Sequence, residues 1–297
     1  MNYKKQIIGK LFGIATLLIL VVTTVICSVP VFLIGILKLF PHQPWRVFCT
    51  KQIDKIAMIW IAFNNFYLDT FNPTTVEVTG LSELQPKSWY LIVANHQSWL
   101  DIIVLQRLFN RKIPVLKFFI KDQLKWIPLL GFSWWAMGCP FMKRYSKEYL
   151  AKHPHKKGTD TKAAQKALKI LKESPSTLMS FIEGTRYTAQ KKIQQASPYE
   201  HLLKPKAGGV GTVISAMAEK INHLIDVTIV YSDPNYSVWD FLCHRVIAIK
   251  IHVRQLPIPA QFLTPVLQEN ETILKEFRTW LNQQWLEKDK LIHSMKK

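Results

Sequence analysis

The pattern of apolar positions divides the chain in two. From Leu11 to Leu37 there is no charged residue and Leu, Ile and Val dominate. A helix of that length is about 40 Å long against a hydrocarbon core of about 30 Å, so the run is predicted to be membrane-inserted. Pro30 sits late in it, where proline ends or kinks a helix, and a second part-apolar stretch runs from Ile56 to Phe71. One span, or two helices dipping into one leaflet, both fit. No small-residue cleavage site follows a short apolar core, which favours a retained anchor over a cleaved signal.

Near Asn72 the pattern changes. Val76 and Val78 alternate with polar neighbours, Gly80 interrupts, and Leu91–Ala94, Ile113–Phe119, Thr177–Phe181, Asp226–Tyr231 and Val246–Val253 read as short strands. Between them, helical spacing predicts helices over Trp99–Leu108, over Thr161–Glu173 with Ala164, Ala167, Leu168 and Leu171 on one face, over Val213–Ala218, and over Leu267–Ile292 with Leu274, Phe277, Leu281 and Trp285. Alternating strands and helices define an α/β class, with a central mostly parallel sheet flanked by helices. The expected organisation is an N-terminal membrane-anchoring helical region, 1–71, followed by an α/β domain, 72–297. Trp126–Pro140 is charge-free and too short for a span, so it is expected to be buried core, with an acyl-chain wall or an interfacial contact as the minority reading.

Two predicted strands stop abruptly in polar turns. The first runs into Asn95-His96-Gln97-Ser98, and Asp101 opens the helix behind it. Five positions on one regular helix separate side chains by roughly 140°. His96 and Asp101 therefore meet only if the histidine lies in the turn and the aspartate in the first helical turn. The carboxylate then fixes the imidazole tautomer and leaves the other nitrogen free to take a proton. The competing reading is a capping box formed by Ser98 and Asp101. The second turn is Glu183-Gly184-Thr185-Arg186, where an arginine fork and glycine-exposed N–H groups suit a phosphate; the alternative is a plain glycine turn with a surface ion pair. Arg144 ends another strand-like run, Gly138 to Arg144. Lys204–Gly211 is a glycine-rich lead-in to the next helix, either an anion site or a packing surface.

Charge sharpens this picture. Lys and Arg number 39 against 20 acids, a net charge of +19, in a chain that is 48 % apolar. Such a combination suits an anionic membrane surface better than nucleic acid, given the uncharged anchor. Lys143–Lys172 alone holds ten basic residues against Glu148 and Asp160, and is expected to be a solvated, lipid-facing surface. The cysteines at 27, 49, 139 and 243 lack paired spacing, which points to a reducing compartment and away from disulfides or a zinc ribbon. His153 and His155 have no third ligand nearby, so no metal site is expected. No G-x-S-x-G elbow is present.

Asn95-His96-Gln-Ser-Trp-Leu-Asp101, Gly138-x-x-Phe141-Met-Lys-Arg144 and Phe181-Ile-Glu183-Gly184-Thr185-Arg186 resemble, in order, three motifs of the glycerolipid acyltransferases, the family that includes 1-acylglycerol-3-phosphate acyltransferase. Thr228 and Ile182 stand where many members carry proline. With Asp226-Val-Thr and Trp280-Leu…Glu287-Lys-Asp289, they bring the chain closer to the lysophospholipid and lysocardiolipin branch. The resemblance implies that His96, held by Asp101, deprotonates the sn-2 hydroxyl of a lysophospholipid, most simply 1-acyl-sn-glycerol-3-phosphate. The alkoxide attacks an acyl thioester on CoA or acyl carrier protein, while Arg144, Glu183, Gly184, Thr185 and Arg186 hold the phosphate. No metal or other cofactor is implied; the partners are the acceptor, the acyl donor and anionic membrane lipids, with no nucleic acid. The implied location is the cell (inner) membrane, with the catalytic domain on the cytoplasmic face. The alternatives are a lysocardiolipin or lysophosphatidylglycerol acyltransferase, a transacylase, or a basic membrane-surface scaffold without activity.

Overall fold

The structure is a computed structural model and describes residues 3–297 except 144, 146, 157, 158 and 234. It opens with two long helices, α1 (Tyr3–Leu37) and α2 (Gln43–Phe71). α1 continues unbroken through Pro30, whose missing N–H removes one helical bond and no more. α2 begins well before the part-apolar stretch that signalled it, with proline in its first turn. The pair forms an antiparallel hairpin, joined by Thr16 to the Tyr67 hydroxyl at 3.1 Å and by the Thr23 hydroxyl donating to Asn64 at 3.2 Å. α1 is the one described helix long and apolar enough to cross a membrane, by length and composition.

The remaining elements alternate as their apolar periods demand: β1 (Thr75–Thr79), β2 (Tyr90–Ala94), α3 (Leu100–Phe109), β3 (Leu116–Phe118), β4 (Ile120–Lys121), α4 (Leu130–Ala136), β5 (Phe141–Met142), α5 (Lys147–Lys152), α6 (Thr159–Leu171), β6 (Thr177–Phe181), α7 (Ala189–Gln194), α8 (Ala207–Met217), β7 (His223–Tyr231), α9 (Val238–Leu242), β8 (Ala248–Pro257) and α10 (Glu271–Lys296). Six strands form one sheet in the order β1-β8-β7-β2-β6-β3, parallel except for the β7–β8 pair, and β4 and β5 make a separate parallel pair. The expected α/β class with a mostly parallel sheet is what the chain adopts.

Strand alternation sends the sheet's side chains into two cores. Leu91, Val93 and Leu178 pack with buried side chains of α6, α8 and α10, while Ile92, Ala94, Met179 and Val227 pack with those of α3 and α9 and with Leu68 of α2. Each fully buried Leu or Ile contributes roughly 1.5–3 kcal/mol, so both faces of β2 hold that strand rigidly in place. The glycines of Lys204–Gly211 lie within α8 rather than before it, and a Cβ at Gly211 would sit 2.1 Å from Gln268, so close packing explains that glycine.

One expectation holds only in part. Within Trp126–Pro140, Gly131, Ala136, Cys139 and Pro140 are buried, but Trp126 is 79 % exposed, and Ile127, Leu129 and Trp135 are exposed as well. α4 is a short helix that rests one side on the end of α1, where Phe132 meets Gly35 and the Phe32 ring at 4.8 Å, and leaves the other side outside.

Candidate active site

Two strands that end side by side, β2 and β6, place the polar turns. Ala94 of β2 pairs with Phe181 of β6 on one side and Val227 of β7 on the other, so the residues that follow β2 and β6 leave the sheet as neighbours. In parallel sheets this carboxyl edge is where ligands bind. Asn95 is buried and continues the strand pairing with its side chain, donating to the Ile229 carbonyl and accepting from the Ile229 N–H, both at 2.9 Å. The amide ladder is thus satisfied as the backbone turns away, and His96 starts from a fixed point.

The backbone of His96 is held at both ends by the second turn. Its N–H donates to Glu183 Oε1 at 3.2 Å and its carbonyl accepts from the Tyr187 N–H at 2.7 Å. Its ring stacks on Phe181, with centroids 3.9 Å apart and planes inclined by 12°. Asp101, with no exposed surface, accepts from His96 Nδ1 at 2.8 Å, and the same oxygen accepts from the Gln97 and Ser98 N–H groups at 2.7 and 2.9 Å. Its other oxygen accepts from the Tyr231 hydroxyl at 2.6 Å. A carboxylate only accepts, so Nδ1 carries the hydrogen, and the neutral form of the ring has its lone pair on Nε2. The capping and histidine-holding readings are therefore not rivals, because one carboxylate reaches back to the turn's N–H groups and also fixes the ring.

Glu183 is fully buried, and burial, helped by the nearby Asp101 charge, pushes its carboxyl up to about 8; the His96 N–H, Lys288 and the Leu203 N–H pull in the other direction. Gly184 has φ +72°, a left-handed turn that favours glycine, and a Cβ there would come 2.9 Å from the Lys206 ammonium. Thr185 accepts from Lys191 Nζ at 2.8 Å, and Lys191 also donates to the Arg186 carbonyl at 3.1 Å. Arg186 is exposed and its guanidinium lies 5.5 Å from the Trp99 ring centroid, just past the His96 turn. His96, Asp101, Glu183, Gly184, Thr185 and Arg186 are thus drawn to one edge of the sheet. Arg144 lies outside the described residues.

Several neighbours were not singled out from sequence. Tyr231 was legible only as a strand residue, and Asn95 and Phe181 only as parts of their motifs. Lys288 had a signal: it falls on the apolar stripe of α10, between Trp285 and Ile292. Among the described residues the one group with metal-ligand proximity is Glu200, His201 and His293, with ligand atoms within 4.8 Å of one another. There Lys296 Nζ lies 3.1 Å from His201 Nδ1, an ammonium that opposes a cation, and no metal is assigned.

A strand-end histidine fixed by a buried aspartate on an α/β sheet defines a class of proton-transfer site, and comparison with known proteins gives the family of the chain. Residues 75–232, more than half of the chain, match the family model described as Acyltransferase, and the chain belongs to that family. It is similar to 1-acyl-sn-glycerol-3-phosphate acyltransferase epsilon of Mus musculus, 27 % identical over 86 % of this chain and 68 % of that protein. The 1-acyl-sn-glycerol-3-phosphate acyltransferase of Saccharomyces cerevisiae is 33 % identical over 48 % of this chain and 44 % of its own length. Among solved structures, the 1-acyl-sn-glycerophosphate acyltransferase PlsC of Thermotoga maritima aligns over 94 % of this chain and 98 % of that one, with 17 % identity and a TM-score of 0.49. Family membership makes the chain an O-acyltransferase and removes the inactive-scaffold alternative.

Proposed function

We propose that this protein is membrane-bound and transfers a fatty acyl group from acyl-CoA or acyl carrier protein to the free sn-2 hydroxyl of a lysophospholipid, 1-acyl-sn-glycerol-3-phosphate being the simplest acceptor. The observation that carries this reading is the Asp101–His96 pair, bonded at 2.8 Å with the ring stacked on Phe181. His96 Nε2 takes the hydroxyl proton as the oxygen attacks the thioester carbonyl. The tetrahedral adduct collapses, the C–S bond breaks, and the proton on Nε2 passes to the departing thiolate. Asp101 offsets the positive charge that the ring carries between those steps, and general-base help of the kind His96 gives contributes about 10² to 10⁴-fold in rate. Arg186, Gly184 and Thr185, with Arg144, hold the acceptor's phosphate, and the exposed Arg186 guanidinium supplies the charge, while the buried Glu183 acts through the His96 N–H and not on the phosphate directly. The scheme calls for no metal or cofactor beyond the thioester.

The α1–α2 hairpin lies in one leaflet on the cytoplasmic face of the cell membrane. Gly9 and Gly13 near one end of α1 abut Cys243 beside α9, and Gly35 near the other end abuts Phe132 of α4. These contacts are about 39 Å apart along the helix axis, so the helix lies along the domain instead of leaving it. Its outward face, including Leu18, Ile26 and Leu33, is exposed and apolar, as a lipid contact requires. Basic residues around it suit anionic lipid headgroups.

Membranes carrying the protein, given labelled acyl-CoA or acyl carrier protein and a panel of lysophosphatidic acid, lysophosphatidylglycerol and lysocardiolipin, test the assignment. Acylation of lysophosphatidic acid above the others supports it. Preference for lysocardiolipin or lysophosphatidylglycerol moves it to that branch, and transfer from a phospholipid with no thioester consumed makes it a transacylase.

A further inference from the structure

The apolar stripe of α10 is interrupted once. Phe277, Leu281, Trp285 and Ile292 are buried at helical spacing, and Lys288 falls on the same stripe with none of its surface exposed. An unpaired buried ammonium costs several kcal/mol, so a lysine persists there only with partners. Its Nζ donates to the Val227 carbonyl at 2.6 Å and lies 2.6 Å from Asp226 Oδ1. The other oxygen of Asp226 accepts from Arg254 Nε at 2.9 Å, and Arg254 also donates to Glu287 at 3.0 Å. Lys288 and Arg254 thus meet Asp226 and Glu287, two cations with two carboxylates, and the Lys288 ammonium is the fully buried cation of that network.

That buried ammonium lies behind the site. Val227 pairs with Ala94, and Ala94 pairs with Phe181, so the carbonyl that Lys288 grips is in line with the strand ends from which His96 and Glu183 project. Lys288 and Glu183 each favour the other's charged form. Neighbouring residues of the same helix hold the loop behind Glu183. Trp285 Nε1 donates to the Leu203 carbonyl at 2.9 Å, and Asp289 accepts from the Glu200 and His201 N–H groups at 2.7 and 2.8 Å. The Leu203 N–H, pinned in this way, is near enough to Glu183 to favour its charged form. Residues 285, 288 and 289 share one face of α10, and each of the three contacts supports the carboxylate that clamps the His96 backbone.

We propose that Lys288 is a positioning residue for acyl transfer: its buried ammonium, held by Asp226, fixes the place and charge of Glu183, and through Glu183 the place of His96. The proposal rests on the acyltransferase reading of the His96–Glu183 site. The charged and titratable groups around Glu183 are His96 and Asp101 from the turn after β2, Tyr187 after β6, Lys206 before α8 and Lys288 from α10, with Asp226 of β7 and Arg254 of β8 behind Lys288.

The test uses the full chain in detergent or lipid nanodiscs with three variants: Lys288→Met, Lys288→Arg, and the double variant Asp226→Asn with Lys288→Met. The double variant keeps the buried site neutral, so its fold survives where the single change leaves Asp226 short of a partner. The melting temperature should recover in the double variant while kcat/KM stays about 10²-fold below wild type, the loss expected when a reacting group is displaced by about 1 Å. The pH limb belonging to Glu183 should move upward in both Met variants, because removing a positive neighbour makes a carboxyl harder to ionise, and should stay in place in Lys288→Arg if that variant folds. A double variant with wild-type kcat/KM and pH profile overturns the proposal and leaves Lys288 a purely structural residue. Infrared titration of the Glu183 carboxyl, its band identified with Glu183→Gln, reads the same coupling without turnover. An unmoved band in Lys288→Met sinks the proposal even if the protein proves inactive, whereas absent thioester turnover with a moved band sinks only the acyltransferase reading.

Discussion

Replacing Asp101 by asparagine separates its two duties. The carboxylate accepts four hydrogen bonds, from His96 Nδ1, two turn N–H groups and the Tyr231 hydroxyl. Asparagine has the same shape, and its amide oxygen still receives the Gln97 and Ser98 N–H groups while its NH2 faces Tyr231, whose hydroxyl also accepts. Each bond falls from the charged class, about 1.5–3 kcal/mol, to the neutral class, about 0.5–1.5 kcal/mol, a gross loss of roughly 4 kcal/mol over four bonds. Part of this returns because a buried charge no longer has to be desolvated, so the fold survives with a lowered melting temperature. The imidazole loses more, since the neutral amide oxygen still accepts from Nδ1–H but offsets no charge on the ring. Loss of the orienting carboxylate is expected to lower kcat by about 10³ to 10⁴-fold, with KM for the lysolipid little changed. Initial rates with labelled acyl-CoA, alongside circular-dichroism melting, give both numbers. A folded Asp101→Asn protein within threefold of wild-type kcat would refute the role assigned to the pair.

Arg186→Ala removes an exposed guanidinium, so the melting temperature should stay within a few degrees, whereas KM for a phosphate-bearing acceptor should rise about tenfold or more; equal loss with an uncharged acceptor would dissociate Arg186 from the phosphate. Glu183 has its carboxyl raised to about 8 in the fold against 4.5 for the free side chain, so its contribution to stability is full below about 4.5 and is lost as pH rises through about 8. Melting temperature should therefore fall over that window, and Glu183→Gln should flatten the fall; an unchanged slope in the variant would mean that another group governs it. Fluorescent probes on cysteines placed at Leu18, Ile26 and Leu33 should all be quenched by lipids labelled at one shallow depth, while a graded series of depths would establish a crossing helix.

Much of the site was legible because its signals are local. Leu91–Ala94 stops at Asn95, and Thr177–Phe181 stops at Glu183, and an apolar run broken by a polar turn marks a strand end in any α/β chain. The convergence of His96 with Asp101 required only the geometry of a turn followed by a helix. Contacts made across the fold left no such trace: Tyr231 lies 130 positions from Asp101, and nothing local sets its hydroxyl apart from that of any strand tyrosine. Trp126–Pro140 was read only in part because absence of charge fits buried and exposed apolar surfaces equally, and the seat of α4 on α1 decides which of its residues are covered. Lys288 was visible as a lysine on an apolar stripe, yet its partner Asp226 sits on a strand 62 positions earlier, as the pair's numbering shows.

The most direct test of the account is the rate of acyl-thioester consumption on lysophosphatidic acid by wild-type protein and by His96→Ala, each verified as folded. With the imidazole acting as the base, wild type turns over and His96→Ala falls by about 10² to 10⁴-fold or more. Equal rates in the two proteins would contradict it.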